Sequence, residues 1–136
     1  MTLTHSDRAP PVYGPYSQTM TVGDLIYTSG QIPIDPTTLE VVAGGIEEQA
    51  SQAIANLRAV LQSAGSDLDR VVKTTVFLVD LADFAGLNAV YARAFGDHRP
   101  ARSTVGVASL PRGVRIEIEA VAVRRLVFPG EPPAIR

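Results

Sequence analysis

Apolar residues recur along the chain with two different periods, and each period predicts one kind of secondary structure. From Ile46 they lie three and four positions apart until Gly65, which predicts an amphipathic helix that ends near this glycine. A second stripe of the same period follows Asp80, which can cap the start of a helix, and stops at Gly96. Its apolar members are Leu81, Phe84, Leu87, Val90, Tyr91, Ala94 and Phe95. The pattern therefore predicts two helices.

Shorter runs of β-branched and apolar residues predict the strands. Residues 18–22 and 25–29 flank a Gly23-Asp24 turn, which is typical of a hairpin. Further strands are predicted at residues 71–79, 103–108 and 115–124. The predicted order is ββαβαββ, a mixed α/β (α+β) fold in which two helices can cover one face of the sheet.

The last predicted strand is apolar on both of its faces near its end. Apolar side chains alternate along it, with Ile116, Ile118, Ala120 and Ala122 on one face and Val121 and Val123 on the other. Two helices cannot cover both faces of the sheet, and the chain predicts no third layer. We therefore expect the second face to be buried by self-association.

Composition and charge narrow the class of protein. The 136 residues are expected to form one domain at residues 1–126, with a proline-rich tail at residues 127–136. There is no cysteine, and no apolar stretch reaches membrane-spanning length, so we expect a cytoplasmic protein without disulfides. The net charge is -2, and the eleven arginines and the single lysine, Lys73, are dispersed. Nucleic-acid binding is therefore not expected.

Arg102 and a pair of glutamates are the candidates for chemistry. Arg102 lies at the entrance to a predicted strand, where it is either a solvated or ion-paired residue or a planar group that binds a carboxylate. Glu117 and Glu119 face the same side of one strand with Cα atoms about 6 to 7 Å apart. They either share a proton near a reacting water or pair with neighbours such as Arg115 or Arg112.

Other chemistries are not supported. The two histidines, His5 and His98, have no metal-ligand spacing, so no metal site is predicted. The glycines at positions 44 and 45 precede a first helical turn that already holds Glu47 and Glu48, which argues against a nucleotide phosphate there. The chain also lacks the GxSxG motif of serine hydrolases.

Five ordered blocks resemble the RidA (YjgF) family over about residues 9 to 125. The blocks are GPYSQ at residues 14–18, TSGQIP at residues 28–33, VKTTVFL at residues 72–78, RPARSTV at residues 99–105 and IEIEA at residues 116–120. The resemblance implies a chorismate-mutase-like fold that assembles into a barrel-forming homotrimer with ligand clefts between subunits. It also implies hydrolysis of reactive 2-enamino or 2-imino acids, such as 2-aminoacrylate and 2-iminopropanoate, to 2-keto acids and ammonia, without a cofactor.

The resemblance assigns roles to particular residues. It implies that Arg102 binds the substrate carboxylate, that Glu117 positions the hydrolytic water and that Tyr16 is a hydrogen-bond partner. The residues that it implies line the cleft are Ser29, Gly30, Asn88 and Thr104. Gly106 departs from the pattern, because many deaminating members carry an acidic residue there.

Three other functions are compatible with membership of this family. A non-catalytic trimer could use the same cleft to bind carboxylate metabolites or mediate an interaction, and a deaminase could serve one particular pathway. A ribonuclease or translation inhibitor would need a basic surface, which the net charge of -2 disfavours.

Overall fold

The computed structural model describes residues 1–125, in which six strands form one mixed sheet in the order β1-β2-β3-β6-β4-β5. Strands β4 and β5 are parallel, and the other neighbours are antiparallel. The strands are β1 (Thr2–Thr4), β2 (Thr19–Val22), β3 (Leu25–Thr28), β4 (Val71–Leu78), β5 (Ala101–Gly106) and β6 (Ile116–Val123). The helices are α1 (Ile46–Ser63) and α2 (Phe84–Phe95).

The two helices and the five predicted strands are confirmed, with small shifts at their ends. Strand β5 begins and ends two residues earlier than predicted, at Ala101–Gly106. Asp80 caps a short 3₁₀ turn at Leu81–Asp83 rather than α2 itself, because its carboxylate accepts a hydrogen bond from the Ala82 amide. Helix α1 stops two residues before Gly65, whose φ of +87° suits a glycine after a helix end.

Strand β1 was not predicted. Its residues Thr2–Thr4 have no apolar alternation, and they pair with Thr19 to Thr21 at the free edge of the hairpin. The Thr4 and Thr19 hydroxyls share a hydrogen bond of 2.5 Å. These residues form a strand because they pair with the edge strand β2, which is distant in sequence. A local sequence pattern does not indicate such pairing. The tail predicted at residues 127–136 lies outside the described residues.

The hydrophobic core lies between the helices and one face of the sheet. On β6, Ile116, Ile118, Ala120 and Ala122 all face this side and are at most 4% exposed. They pack in one cluster with residues from both helices, including Leu57, Leu61 and Leu87. Three residues of the predicted α2 stripe, Leu81, Phe84 and Ala94, are instead exposed. Leu81 precedes the helix, and Phe84 is its first residue, so neither lies over the core.

The other face of the sheet is covered by neither helix. On β6 it carries Glu117, Glu119, Val121 and Val123, which are all half-buried. This open face combines apolar and acidic side chains, as the alternation along β6 predicted.

Asn56 and β6 hold the long loop between β3 and α1 in place. The fully buried Asn56 amide donates hydrogen bonds to the carbonyl oxygens of Ile32 and Ile34, at 3.0 and 2.9 Å. Gln31 and Ile118 exchange both backbone hydrogen bonds, at 2.7 and 3.0 Å. These contacts place Ser29 and Gly30 beside β6, next to the open face.

Candidate active site

Arg102 lies on the edge strand β5 with its side chain against helix α2. Its guanidinium carbon is 4.7 Å from the centre of the Tyr91 ring and 5.5 Å from that of Phe84. Both distances are within the range of cation-π attraction. The aromatic rings therefore hold the planar group without neutralising its charge.

The Tyr91 side chain is held in place by Thr74 and Phe95. Its hydroxyl is hydrogen-bonded at 2.8 Å to that of Thr74, which is completely buried on β4. Its ring stacks on Phe95 with centroids 4.4 Å apart. Burial raises the pKa of the Tyr91 phenol, while the Thr74 hydrogen bond and the Arg102 charge act in the opposite direction. The phenol is thus a neutral, hydrogen-bonded support for the arginine.

A depression of about 280 Å³ opens beside Arg102. Its lining consists of Asn88, Tyr91, Ala92, Arg99, Pro100 and Arg102, with no acidic residue. Within residues 1–125, neither arginine of this depression takes part in an ion pair, whereas five other arginines do. Thr104 faces the same side of β5 as Arg102, and its buried hydroxyl has no hydrogen-bond partner in the described chain. We call this group the arginine half-site.

Glu117 lies on the opposite face of the sheet. Arg102 is paired with Thr74 on β4, and Glu117 is paired with Phe77. Thr74 and Phe77 are three residues apart, so they and their partners point to opposite faces. Within one chain, Arg102 and Glu117 therefore do not line a common cavity.

The Glu117 carboxylate has no cationic partner in the described part of the chain. Arg115, which the sequence offered as a partner, donates two hydrogen bonds to Asp83 instead, at 2.8 and 3.0 Å. Arg112 donates to the Leu39 carbonyl oxygen. Burial raises the pKa of the Glu117 carboxyl above its ordinary value, and the charge of Glu119 raises it further. The Glu117 carboxyl therefore keeps its proton to a higher pH than an ordinary glutamate does.

Gly30 lies directly against Glu117. A Cβ atom at position 30 would be only 2.7 Å from the Glu117 carboxyl carbon, so any side chain there would displace the carboxylate. Ser29 is fixed beside it, because its hydroxyl donates to the Ser17 carbonyl oxygen at 2.5 Å and its amide to that of Gln18 at 2.9 Å. Glu117, Gly30 and Ser29 form the core of what we call the glutamate half-site.

Tyr16 completes the glutamate half-site. Tyr16 is 53% exposed and lines two cavities, one of them also lined by Gly30 and the other by Ser29. The candidate residues thus separate into two groups. One group lies on the face of the sheet that the helices cover and consists of Arg102, Asn88 and Thr104. The other group lies at the open face and consists of Tyr16, Ser29, Gly30 and Glu117.

The sequence pattern predicted no site role for Tyr91, Phe84, Thr74 or Arg99. Tyr91 and Phe84 were placed in the apolar stripe of α2, and their rings do pack, but against a guanidinium. The hydroxyl of Tyr91 was the available signal, since a buried tyrosine needs a hydrogen-bond partner. Arg99 was noted only as part of the RPARSTV block.

Gly106 allows Leu81 to pack against the end of β5. A Cβ atom at position 106 would lie 3.3 Å from the Leu81 Cγ atom.

His98 has a structural contact, a hydrogen bond of 2.6 Å between its Nε2 atom and the Val71 carbonyl oxygen. Among residues 1–125 no group of three His, Cys, Asp or Glu side chains is arranged to hold a metal ion, and no helix is long and apolar enough to span a membrane.

This arrangement defines a class of protein: a small α+β domain in which an arginine without an ion-pair partner among residues 1–125 and a carboxyl of raised pKa lie on opposite faces of one sheet. The family model described as Endoribonuclease L-PSP matches residues 6–124, and the chain belongs to this family, the RidA (YjgF) family.

Relatives at about half sequence identity include a named deaminase. The chain is 51% identical to protein DfrA of Myxococcus xanthus, covering 88% of this chain and 92% of that protein. It is 49% identical to the human 2-iminobutanoate/2-iminopropanoate deaminase, covering 86% and 85% of the two chains. The solved structure of TdcF from E. coli with bound serine superposes with a TM-score of 0.87 at 42% identity, covering 92% and 100% of the two chains.

We expect the hydroxyl pair below Arg102 to behave as one energetic unit. Thr74→Val and Tyr91→Phe should each destabilise the protein by about 1 to 2 kcal/mol, because each leaves a buried hydroxyl unpaired. The double variant should lose clearly less than the sum, since it removes both hydroxyls together. Urea unfolding of the four proteins measures this coupling, and simple additivity would contradict it.

Glu117 is expected to cost stability at neutral pH. A carboxyl whose pKa is raised by folding destabilises the folded state as pH rises through the ordinary value of 4.5 towards the raised value. Glu117→Gln should therefore unfold at a higher temperature than wild type at pH 7, and this advantage should vanish at lower pH. Calorimetry between pH 4 and pH 8 tests this, with the exposed Glu40→Gln as a charge-matched control. A Glu117→Gln advantage that does not depend on pH would refute the assignment.

Proposed function

We propose that this protein hydrolyses reactive 2-enamino and 2-imino acids, such as 2-aminoacrylate and 2-iminopropanoate, to 2-keto acids and ammonia. The observation that carries the proposal is Arg102, a rigidly held guanidinium that has no anionic partner within residues 1–125. A planar guanidinium binds a carboxylate through two parallel hydrogen bonds. The named deaminase among the relatives and the relative solved with serine both support an amino-acid-like ligand.

The reaction needs few catalytic groups. An enamine tautomerises to an imine, water adds to the imine carbon, and ammonia leaves as the carbonyl forms, so the new oxygen atom comes from water. Arg102 would hold the carboxylate next to this carbon, and Asn88 and the unpaired Thr104 hydroxyl would help to orient it. Glu117 would accept a proton from the attacking water and return it to the departing nitrogen, a role that suits its raised pKa.

The second half of the site must then come from another copy of the chain. Arg102 and Glu117 face opposite sides of one sheet, so a single protomer cannot present both to one ligand. The open face with its half-buried Val121 and Val123 is the surface that self-association would cover. We infer a homotrimer in which the open faces form a central barrel and each cleft joins two half-sites.

The description of the family model raises a ribonuclease as a second candidate. RNA binding depends on clustered cations, and this chain has a net charge of -2 with dispersed arginines. We therefore favour the deaminase. A binding protein without turnover would use the same arginine half-site, and the activity assay below separates these two functions.

Arg102 should be required for turnover. Arg102→Ala should reduce kcat/KM by about 100-fold, since it removes a bidentate ion pair of about 3 kcal/mol. Arg102→Lys should also lose most activity, because lysine keeps the charge but not the planar fork. The assay follows ammonia and pyruvate from enzymatically generated 2-aminoacrylate, with the exposed Arg93→Ala as control. Wild-type rates equal to buffer would reject the deaminase, and an unchanged Arg102→Ala rate would reject the role of this residue.

Mixing two inactive variants should restore activity if the half-sites lie on different chains. Arg102→Ala supplies an intact glutamate half-site, and Glu117→Gln supplies an intact arginine half-site. After unfolding and refolding together in equal amounts, random assembly into closed oligomers should give about one quarter of the wild-type activity. Each variant refolded alone is the control. A mixture that stays as inactive as its components, although hetero-oligomers form, would place both groups of each site on one chain.

A further inference from the structure

A second arginine, Arg99, lines the same depression as Arg102. It precedes Pro100, which restricts its backbone to an extended conformation, and strand β5 begins at the next residue, Ala101. Its side chain is exposed and has no hydrogen bond or ion pair within residues 1–125. The depression therefore carries two uncompensated positive charges.

The surroundings of Arg99 differ from those of a neighbouring surface arginine. Arg93, on the outer side of α2, lies 4.0 Å from the Glu47 carboxylate and shares its own depression with Glu47 and Glu48. The depression at Arg99 has no acidic residue in its lining. Two like charges in one concavity repel each other, and an anion bound near both offsets this repulsion by its attraction to each. The local field is therefore suited to a ligand with more than one negative charge.

We propose that this depression binds short-chain 2-imino acids that carry a second acid group in the side chain. Arg102 binds the carboxylate next to the reacting carbon, and Arg99 binds the second acid group. Arg99 precedes the first strand residue, so strand alternation does not fix its side chain, and both arginines line the depression. Their Cα atoms, three residues apart, lie at most about 10 Å from each other, so the two side chains can reach both ends of a small dicarboxylate. This inference rests on the proposed function and names the class of substrate for it.

The test uses two stable ligands of equal carbon length that differ in the second carboxylate. Calorimetric titration at low ionic strength compares 2-oxoglutarate with 2-oxopentanoate on the full-length protein and on Arg99→Gln. The variant should bind 2-oxoglutarate about fivefold more weakly, the effect of one partly exposed ion pair. Its affinity for 2-oxopentanoate should stay within about twofold, since that ligand has no group for Arg99. Arg93→Gln changes the net charge equally and should alter neither affinity.

The outcomes distinguish this inference from the deaminase proposal. The inference is overturned if the wild type binds the two ligands with equal affinity and Arg99→Gln does not change either affinity. It is also overturned if neither ligand binds. If the imine of 2-oxopentanoate is deaminated in an Arg102-dependent manner but Arg99→Gln has no effect, the inference fails and the proposed function stands. Selectivity for 2-oxoglutarate that depends on Arg99, in a protein that releases no ammonia, supports the binding of a second acid group by Arg99 and rejects the deaminase.

Discussion

The register of β4 with its two neighbours is the constraint on which the candidate site depends. β4 is parallel to β5 on one side and antiparallel to β6 on the other. Because Arg102 on β5 is paired with Thr74, its side chain points towards α2. Because Glu117 on β6 is paired with Phe77, its side chain points to the open face. A slip of one residue would exchange the faces and bring Glu117 into the core in place of residues such as Ile118. The burial of the core side of β6 thus also determines on which face the candidate residue Glu117 lies.

Arg115 and Arg102 differ in the groups that hold their guanidinium ions. Arg115 donates two hydrogen bonds to the buried carboxylate of Asp83, which neutralises its charge and ties β6 to the start of α2. Arg102 rests on the Tyr91 ring, a contact worth about 0.5 to 2 kcal/mol that leaves its hydrogen-bond donors unoccupied. Within residues 1–125 Arg102 has no ion pair, so the carboxylate ligand proposed for it would not have to break one. Such preorganisation lowers the cost of binding.

The parts of the structure that depend on local pattern were predictable from the sequence. The spacing of apolar residues identified both helices, and the alternation from Ile116 to Val123 identified the two faces of β6. Strand β1 could not be predicted, because it exists only through its pairing with the β2 edge. Arg102 and Glu117 were candidates from the sequence, and the resemblance gave them roles in one cleft. Their separation onto opposite faces depends on strand register, which alternation within one strand does not determine. The support of Arg102 by Tyr91 likewise required knowledge of how α2 packs on β5.

In the proposed function, the glutamate half-site would link assembly to chemistry. Gly30 leaves room for the Glu117 carboxylate, and no cation in the described chain offsets its burial, so its pKa is already raised in the single protomer. A second copy that covered the open face would remove more water from this carboxyl and move its pKa further in the same direction. A general acid and base works best when its pKa lies near the working pH. Burial of Val121 and Val123 on the open face would therefore stabilise an oligomer, and burial of the neighbouring Glu117 would bring its pKa closer to the value that the proposed hydrolysis of an imine requires.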